Sequence, residues 1–331
     1  MSKKYIITSG CSFTRQYKRI GFNGTDVDFL DDDTKFWRWP HHIKDQYKNF
    51  DVYNLGNPTN DNGVIAQSII KKINDLLTTG ISPKDIKVII QWTDQTRNSF
   101  FISDSIAKLY NVEPLEKNSD DDNPMNPENI DKWSHLNGFS NKKFGYYLLT
   151  GNGLINHINY PKDIIDIHFK YTSPQESAIR FFTNIILIQN FCKVNRIKNL
   201  FMFNLSYNFN TNTYPKSYKD IKKVYLEKEI PEFYNEFKTE NSYISYLYNN
   251  IDFKNFWFYE NKYTNCGGQL EWAISEFDFK NDKRLFMEHS YIEDDLIKFC
   301  KKNKSINPIG HVSSEMNKKF VDTILTNFLK K

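Results

Sequence analysis

At 331 residues with a formal net charge of +4, from 44 basic and 40 acidic side chains, the chain suits one enlarged domain or two small ones, and it is too balanced to carry an electrostatic footprint for nucleic acid. Hydrophobic residues reach only 39%, but aromatics reach 16%, with 27 Phe and 20 Tyr, and large rings bury enough area to make a folded core. Cysteines 11, 192, 266 and 300 have neither zinc-ligand spacing nor the density of a disulfide scaffold, no run approaches a membrane span, and Met1-Ser2-Lys3-Lys4 passes into a strand with no apolar leader. The expectation is reduced thiols in a cytoplasm, with no metal, no cofactor, no membrane and no nucleic acid.

In chain order, Tyr5 to Thr8 reads as a first strand, and Gly10 turns the chain out of it. Pro40 marks a helix start that takes in His41 and His42, where no further ligands offer a metal site. Asp51 to Leu55 reads as a second strand, and Asn62 to Leu77 as a helix with Ile65, Ile69, Ile70, Ile73 and Leu77 on one face. Lys87 to Trp92 reads as an apolar run long enough for a buried parallel strand. Ser173-Pro174-Gln175-Glu176 carries a cap, a first-position proline and a first-turn acid, and opens a helix to about Val194. Leu200 to Leu205 is a fourth strand, Phe253 to Tyr259 a fifth, and Ser314 to Leu329 a closing helix.

Alternation of this kind implies a doubly wound parallel sheet formed by residues 4–96, 173–205 and 251–331. Two stretches exceed ordinary connections. Residues 97–172 carry Trp133, Phe139, Phe144, Tyr146 and Tyr147 and read as a packed cap; residues 206–250 read as a second, helical insertion. Both are expected over the carboxyl edge of the sheet, within a single domain spanning 1–331.

The chemistry-bearing residues fall at strand ends. Ser12 follows the first strand and His311 precedes the last helix; a serine hydroxyl needs a base, and histidine is the usual one. Oxyanion stabilisation needs donors beside the nucleophile, and the loops Asn54 to Asn62 and Gln91 to Gln95 supply amides and turn formers at the same edge.

Gly10-Cys11-Ser12-Phe13-Thr14 resembles the first block of the SGNH (GDSL-like) hydrolase superfamily, with Cys11 where the family has Asp, and the chain is similar above all to divergent SGNH-like proteins of bacteriophage and marine microbial genomes. Asn54-Leu55-Gly56 through Asn62 resembles the second block, with Thr59 at the place of the donor glycine. Ile89 to Arg97 resembles the third, with Asp94 or Gln95 where the donor asparagine stands; only Gln95 can donate. Pro308-Ile309-Gly310-His311-Val312-Ser313 resembles the fifth, with Pro308 at the acid's place and Asn307 as its nearest substitute.

The resemblance implies a three-layer α/β/α, flavodoxin-like parallel sheet with the two insertions as a cap. It implies a serine ester hydrolase with Ser12, His311 and Asn307 as catalytic residues and with Ser12, Thr59, Gln95 or Asp94 around the oxyanion. The aromatic cap points to O-acyl groups of a carbohydrate as substrate. The alternatives are a non-catalytic glycan-binding or virion-associated scaffold, or an acyltransferase. The location implied is the cytoplasm, that of a host cell if the chain is viral, or the virion.

Overall fold

A computed structural model describes residues 3–11, 14, 37–56, 60–93, 95, 97–102, 140–141, 145–150, 166, 170, 173–204, 242–262, 266–276, 312 and 314–330. Strand β1 (Lys4–Ser9) lies between β2 (Phe50–Asn54) and β3 (Ile86–Trp92), both parallel to it. Three more strands come next in the chain, β4 (Asn98–Ile102), β5 (Ser140–Asn141) and β6 (Gly145–Thr150), and then β7 (Lys198–Phe203), which pairs in parallel with the far side of β3. The main sheet therefore runs β2-β1-β3-β7, a flavodoxin-like order. All seven residues of β3 are buried, as a central strand covered on both faces requires.

The strand period of two sorts neighbouring side chains onto opposite faces. Ile7, Ile90 and Phe201 join one apolar cluster, and Ile6, Ile89 and Met202 join the other. Over the first face lie α2 (Asn62–Thr78) and α3 (Pro174–Val194). Asp61 caps α2 by accepting from the Val64 N–H at 2.7 Å, and Ser173 caps α3 by accepting from the Glu176 N–H at 3.0 Å. The second face is covered by α1 (Trp39–Gln46) and by two later segments. The first of these is α5 (Gln269–Glu276); the second is a closing helix built from α6 (Ser314–Phe320), a π-helical turn (Val321–Leu325) and α7 (Thr326–Lys330).

The segment expected as a fifth strand, Phe253 to Tyr259, is not one. Asp252 caps a 3-10 turn at Phe253–Asn255, and only isolated bridges follow, Phe256 parallel to Phe201 and Tyr259 antiparallel to Gly267. Rings rather than a backbone ladder dock it: Phe256 and Phe258 stack on each other and on Phe203. The aromatic density that suggests a strand instead serves packing beside β7.

Within 97–172, β4, β6 and β5 form a three-stranded antiparallel sheet, with Asn98 opposite Thr150 and Ile102 opposite Tyr146. Strand β4 lies beside α2. Within 206–250, the described helix α4 (Ser242–Asn249) packs on α3, and Ile244 and Leu247 belong to the first-face core. No helix among the described residues is long and apolar enough to cross a membrane.

Candidate functional site

The carboxyl ends of β1, β2, β3 and β7 converge on a buried set of neutral amides. Asn54, the last residue of β2, accepts from Thr8 Oγ1 at 3.2 Å and from the Gly56 N–H at 3.0 Å, while its Nδ2 donates to the Thr14 carbonyl at 2.8 Å. The Thr14 N–H donates to the Cys11 carbonyl at 2.9 Å, so both described residues that bracket position 12 are tied down. Gly10 and Gly56 make this possible. A Cβ at Gly10 would collide with Thr14 Oγ1 and stand 2.8 Å from the Gln91 carbonyl oxygen, and one at Gly56 would meet Thr14 Cβ at 2.8 Å.

From Thr14 a chain of side-chain hydrogen bonds crosses beneath the edge. Thr14 Oγ1 and Trp39 Nε1 both donate to Gln91 Oε1, at 2.9 and 3.2 Å. Gln91 Nε2 donates to Gln269 Oε1 at 2.7 Å, Gln269 Nε2 to Asn317 Oδ1 at 2.9 Å, and Asn317 Nδ2 to the Val312 carbonyl at 2.9 Å. Its polarity is fixed at both ends, because an indole N–H only donates and a backbone carbonyl only accepts. Every amide between them must point the same way, and aligned bonds of this kind polarise one another in a dry interior. The chain thus joins Thr14, two residues beyond Ser12, to Val312, next to His311.

Further contacts brace the edge. Asn62 and Thr93 exchange two hydrogen bonds, Thr93 N–H to Asn62 Oδ1 at 3.0 Å and Asn62 Nδ2 to the Thr93 carbonyl at 3.1 Å, which fixes the exit of β3 against α2. Asn204, just past β7, donates to Cys11 Sγ at 3.6 Å, and its carbonyl accepts from the Leu270 N–H at 2.9 Å. Cys11, Cys192 and Cys266 are buried thiols outside any disulfide, and burial pushes the Cys192 thiol up to about 12.

His42 reaches from α1 to the start of α6, its Nε2 lying 3.1 Å from Ser314 Oγ, with both side chains buried. Burial is the main cause that lowers its pKa to about 4, so the ring is neutral at pH 7 and braces Ser314 as an uncharged partner. The histidine pair therefore packs: the His41 ring accepts from the Arg38 N–H, and Trp37 lies edge-on to His42.

Of the residues singled out by sequence, Ser12, Thr59, Asp94, Asn307 and His311 lie outside the described residues; Gln95 is described and buried two positions past Thr93. Their described neighbours Cys11, Thr14, Asn60, Thr93, Val312 and Ser314 all stand at this carboxyl edge. Sequence reasoning missed Trp39, Gln269 and Asn317. The usable signal was a glutamine inside the apolar run of β3, since a buried amide demands partners. Among the described residues no His, Cys, Asp and Glu cluster could hold a metal ion. No family model matches the chain, nor does any curated protein or solved structure.

Proposed function

We propose that the protein is a serine ester hydrolase of the SGNH type, with Ser12 as nucleophile and His311 as base. The observation that supports the reading is the hydrogen-bond chain Thr14–Gln91–Gln269–Asn317–Val312, which joins residues that stand two positions after the serine and one after the histidine in sequence. The flavodoxin-like strand order and the clustering of four loop regions at one sheet edge support it.

In this reading Ser12 Oγ attacks the acyl carbon while His311 takes its proton and passes it to the leaving alcohol. A water activated by the same histidine then releases the acid from the acyl-serine. Backbone N–H groups of Ser12 and Thr59, with the Gln95 amide, hold the oxyanion, and Asn307 orients His311. An O-acylated carbohydrate is the substrate class favoured.

The test is turnover of a short-chain aryl ester by wild type, Ser12→Ala and Cys11→Ala. Loss in the serine variant alone supports the mechanism, whereas equal turnover in wild type and Ser12→Ala refutes it. No turnover in any of the three favours a non-catalytic scaffold.

A further inference from the structure

The chain leaves β1 for β2 on one side and returns to β3 on the other, so the crevice outside the carboxyl ends of β1 and β3 is the switch point where open α/β sheets take ligands. Two side chains there are buried with a polar atom that has no hydrogen-bond partner, Asn60 Oδ1 and Thr93 Oγ1. The Asn60 amide cannot be turned to hide its oxygen. Its Nδ2 faces the carbonyls of Gly10 at 3.2 Å and Leu55 at 3.4 Å, which only accept, so the oxygen is the atom left over. Thr93 is held by its backbone to Asn62, and Asn60 by its carbonyl to Arg97 Nη1 at 3.4 Å, so neither residue can swing away without breaking these bonds. Buried polar atoms left without partners are costly and uncommon, and a bound ligand is one thing that satisfies them.

We infer that Asn60 Oδ1 and Thr93 Oγ1 form a subsite for a hydroxyl-bearing ligand, a sugar or polyol. Asn60 Oδ1 accepts one hydroxyl proton, and Thr93 Oγ1 exchanges a hydrogen bond with a neighbouring hydroxyl. A hydrocarbon chain satisfies neither atom, and the Arg97 guanidinium at the Asn60 carbonyl disfavours an ammonium donor. Both atoms are shielded from solvent, so the ligand reaches them by displacing what covers them. The inference rests on the ester-hydrolase reading for the reacting end of the ligand, while the subsite itself requires no reaction.

The discriminating variant is Thr93→Val, which removes the hydroxyl and keeps the shape and both backbone bonds to Asn62; Thr93→Ser restores the hydroxyl. With mono-O-acetyl xylose and 4-nitrophenyl acetate as paired substrates, the ratio of their kcat/KM values is expected to fall about five- to tenfold in Thr93→Val, the worth of one neutral hydrogen bond, and to return in Thr93→Ser. The melting temperature of ligand-free Thr93→Val should equal or exceed that of wild type, because an unpartnered hydroxyl is being removed. An unchanged ratio, or a lowered melting temperature, overturns the subsite. If wild type hydrolyses neither ester, the hydrolase reading fails on its own, and the subsite is read from the thermal shift caused by mono-O-acetyl xylose. A shift in wild type that Thr93→Val abolishes sustains it, and no shift overturns it.

Discussion

The two ends of the parallel sheet are built from opposite chemistry. At the carboxyl end, Asn54, Asn60, Asn62, Gln91, Gln269 and Asn317 are buried and uncharged, and they hold loops to one another. At the amino end Lys87 is buried instead, its Nζ donating to the carbonyls of Phe328 at 3.0 Å and Leu329 at 2.7 Å and so anchoring the closing helix. Phe50 and Phe328 rings flank that ammonium. A cation suits a helix end, where unpaired carbonyls gather. Neutral amides suit an edge that must hold several loops together, and the charged side chains of Asp61 and Arg97 there are turned to backbone contacts, Asp61 to the Val64 N–H and Arg97 to the Asn60 carbonyl.

The largest effect should come from breaking the amide chain. Gln91→Leu leaves the Thr14 hydroxyl, the Trp39 indole and Gln269 Oε1 without their buried partner, and should cost about 4 kcal/mol in urea unfolding. A loss under about 1 kcal/mol would mean that the chain contributes little to holding the edge. Gly10→Ala comes next, at about 3 kcal/mol, because its Cβ must displace Thr14 or the Gln91 carbonyl. This variant also moves the segment that bears Ser12, so ester turnover should fall further than the lost stability alone explains.

The smallest effects separate the two ends by pH. His42 is lowered from 6.5 to about 4, so the unfolded state binds its proton first and stability falls as pH drops through that window. Lys87 is lowered from 10.5 to about 8, by burial and then by Lys198 and Lys4, so stability rises as pH increases from about 8 to 10.5. Each effect should amount to about 2 kcal/mol after allowance for solvent screening. His42→Gln should flatten the acid limb alone and Lys87→Met the alkaline limb alone, as measured by denaturant midpoints across pH.

The sequence made the parallel sheet legible because its signals are local. Apolar runs mark β1, β3 and β7, and Ser173-Pro174 marks the start of α3 within a residue. The antiparallel sheet left no such trace. Its pairing joins Asn98 to Thr150 across a long stretch, and Ser140–Asn141 is too short to carry a period. Phe253 to Tyr259 misled for the converse reason, since aromatic density marks both strands and ring stacking. At the site, Gln91 was legible as one of the amides that leave β3 at the carboxyl edge. Its continuation was not, because Gln269 and Asn317 stand 48 residues apart and meet only through the fold.

The central claim is that Ser12 and His311 act together at the carboxyl edge, and fluorophosphonate labelling read by peptide mass spectrometry tests it most directly. Such a reagent phosphonylates a serine whose hydroxyl a neighbouring base has activated. The account predicts modification at Ser12 in wild type, abolished in His311→Ala and strongly reduced in Gln91→Leu, whose broken chain no longer ties the two segments together. Labelling at another residue, or labelling of Ser12 that persists undiminished in His311→Ala, would contradict it.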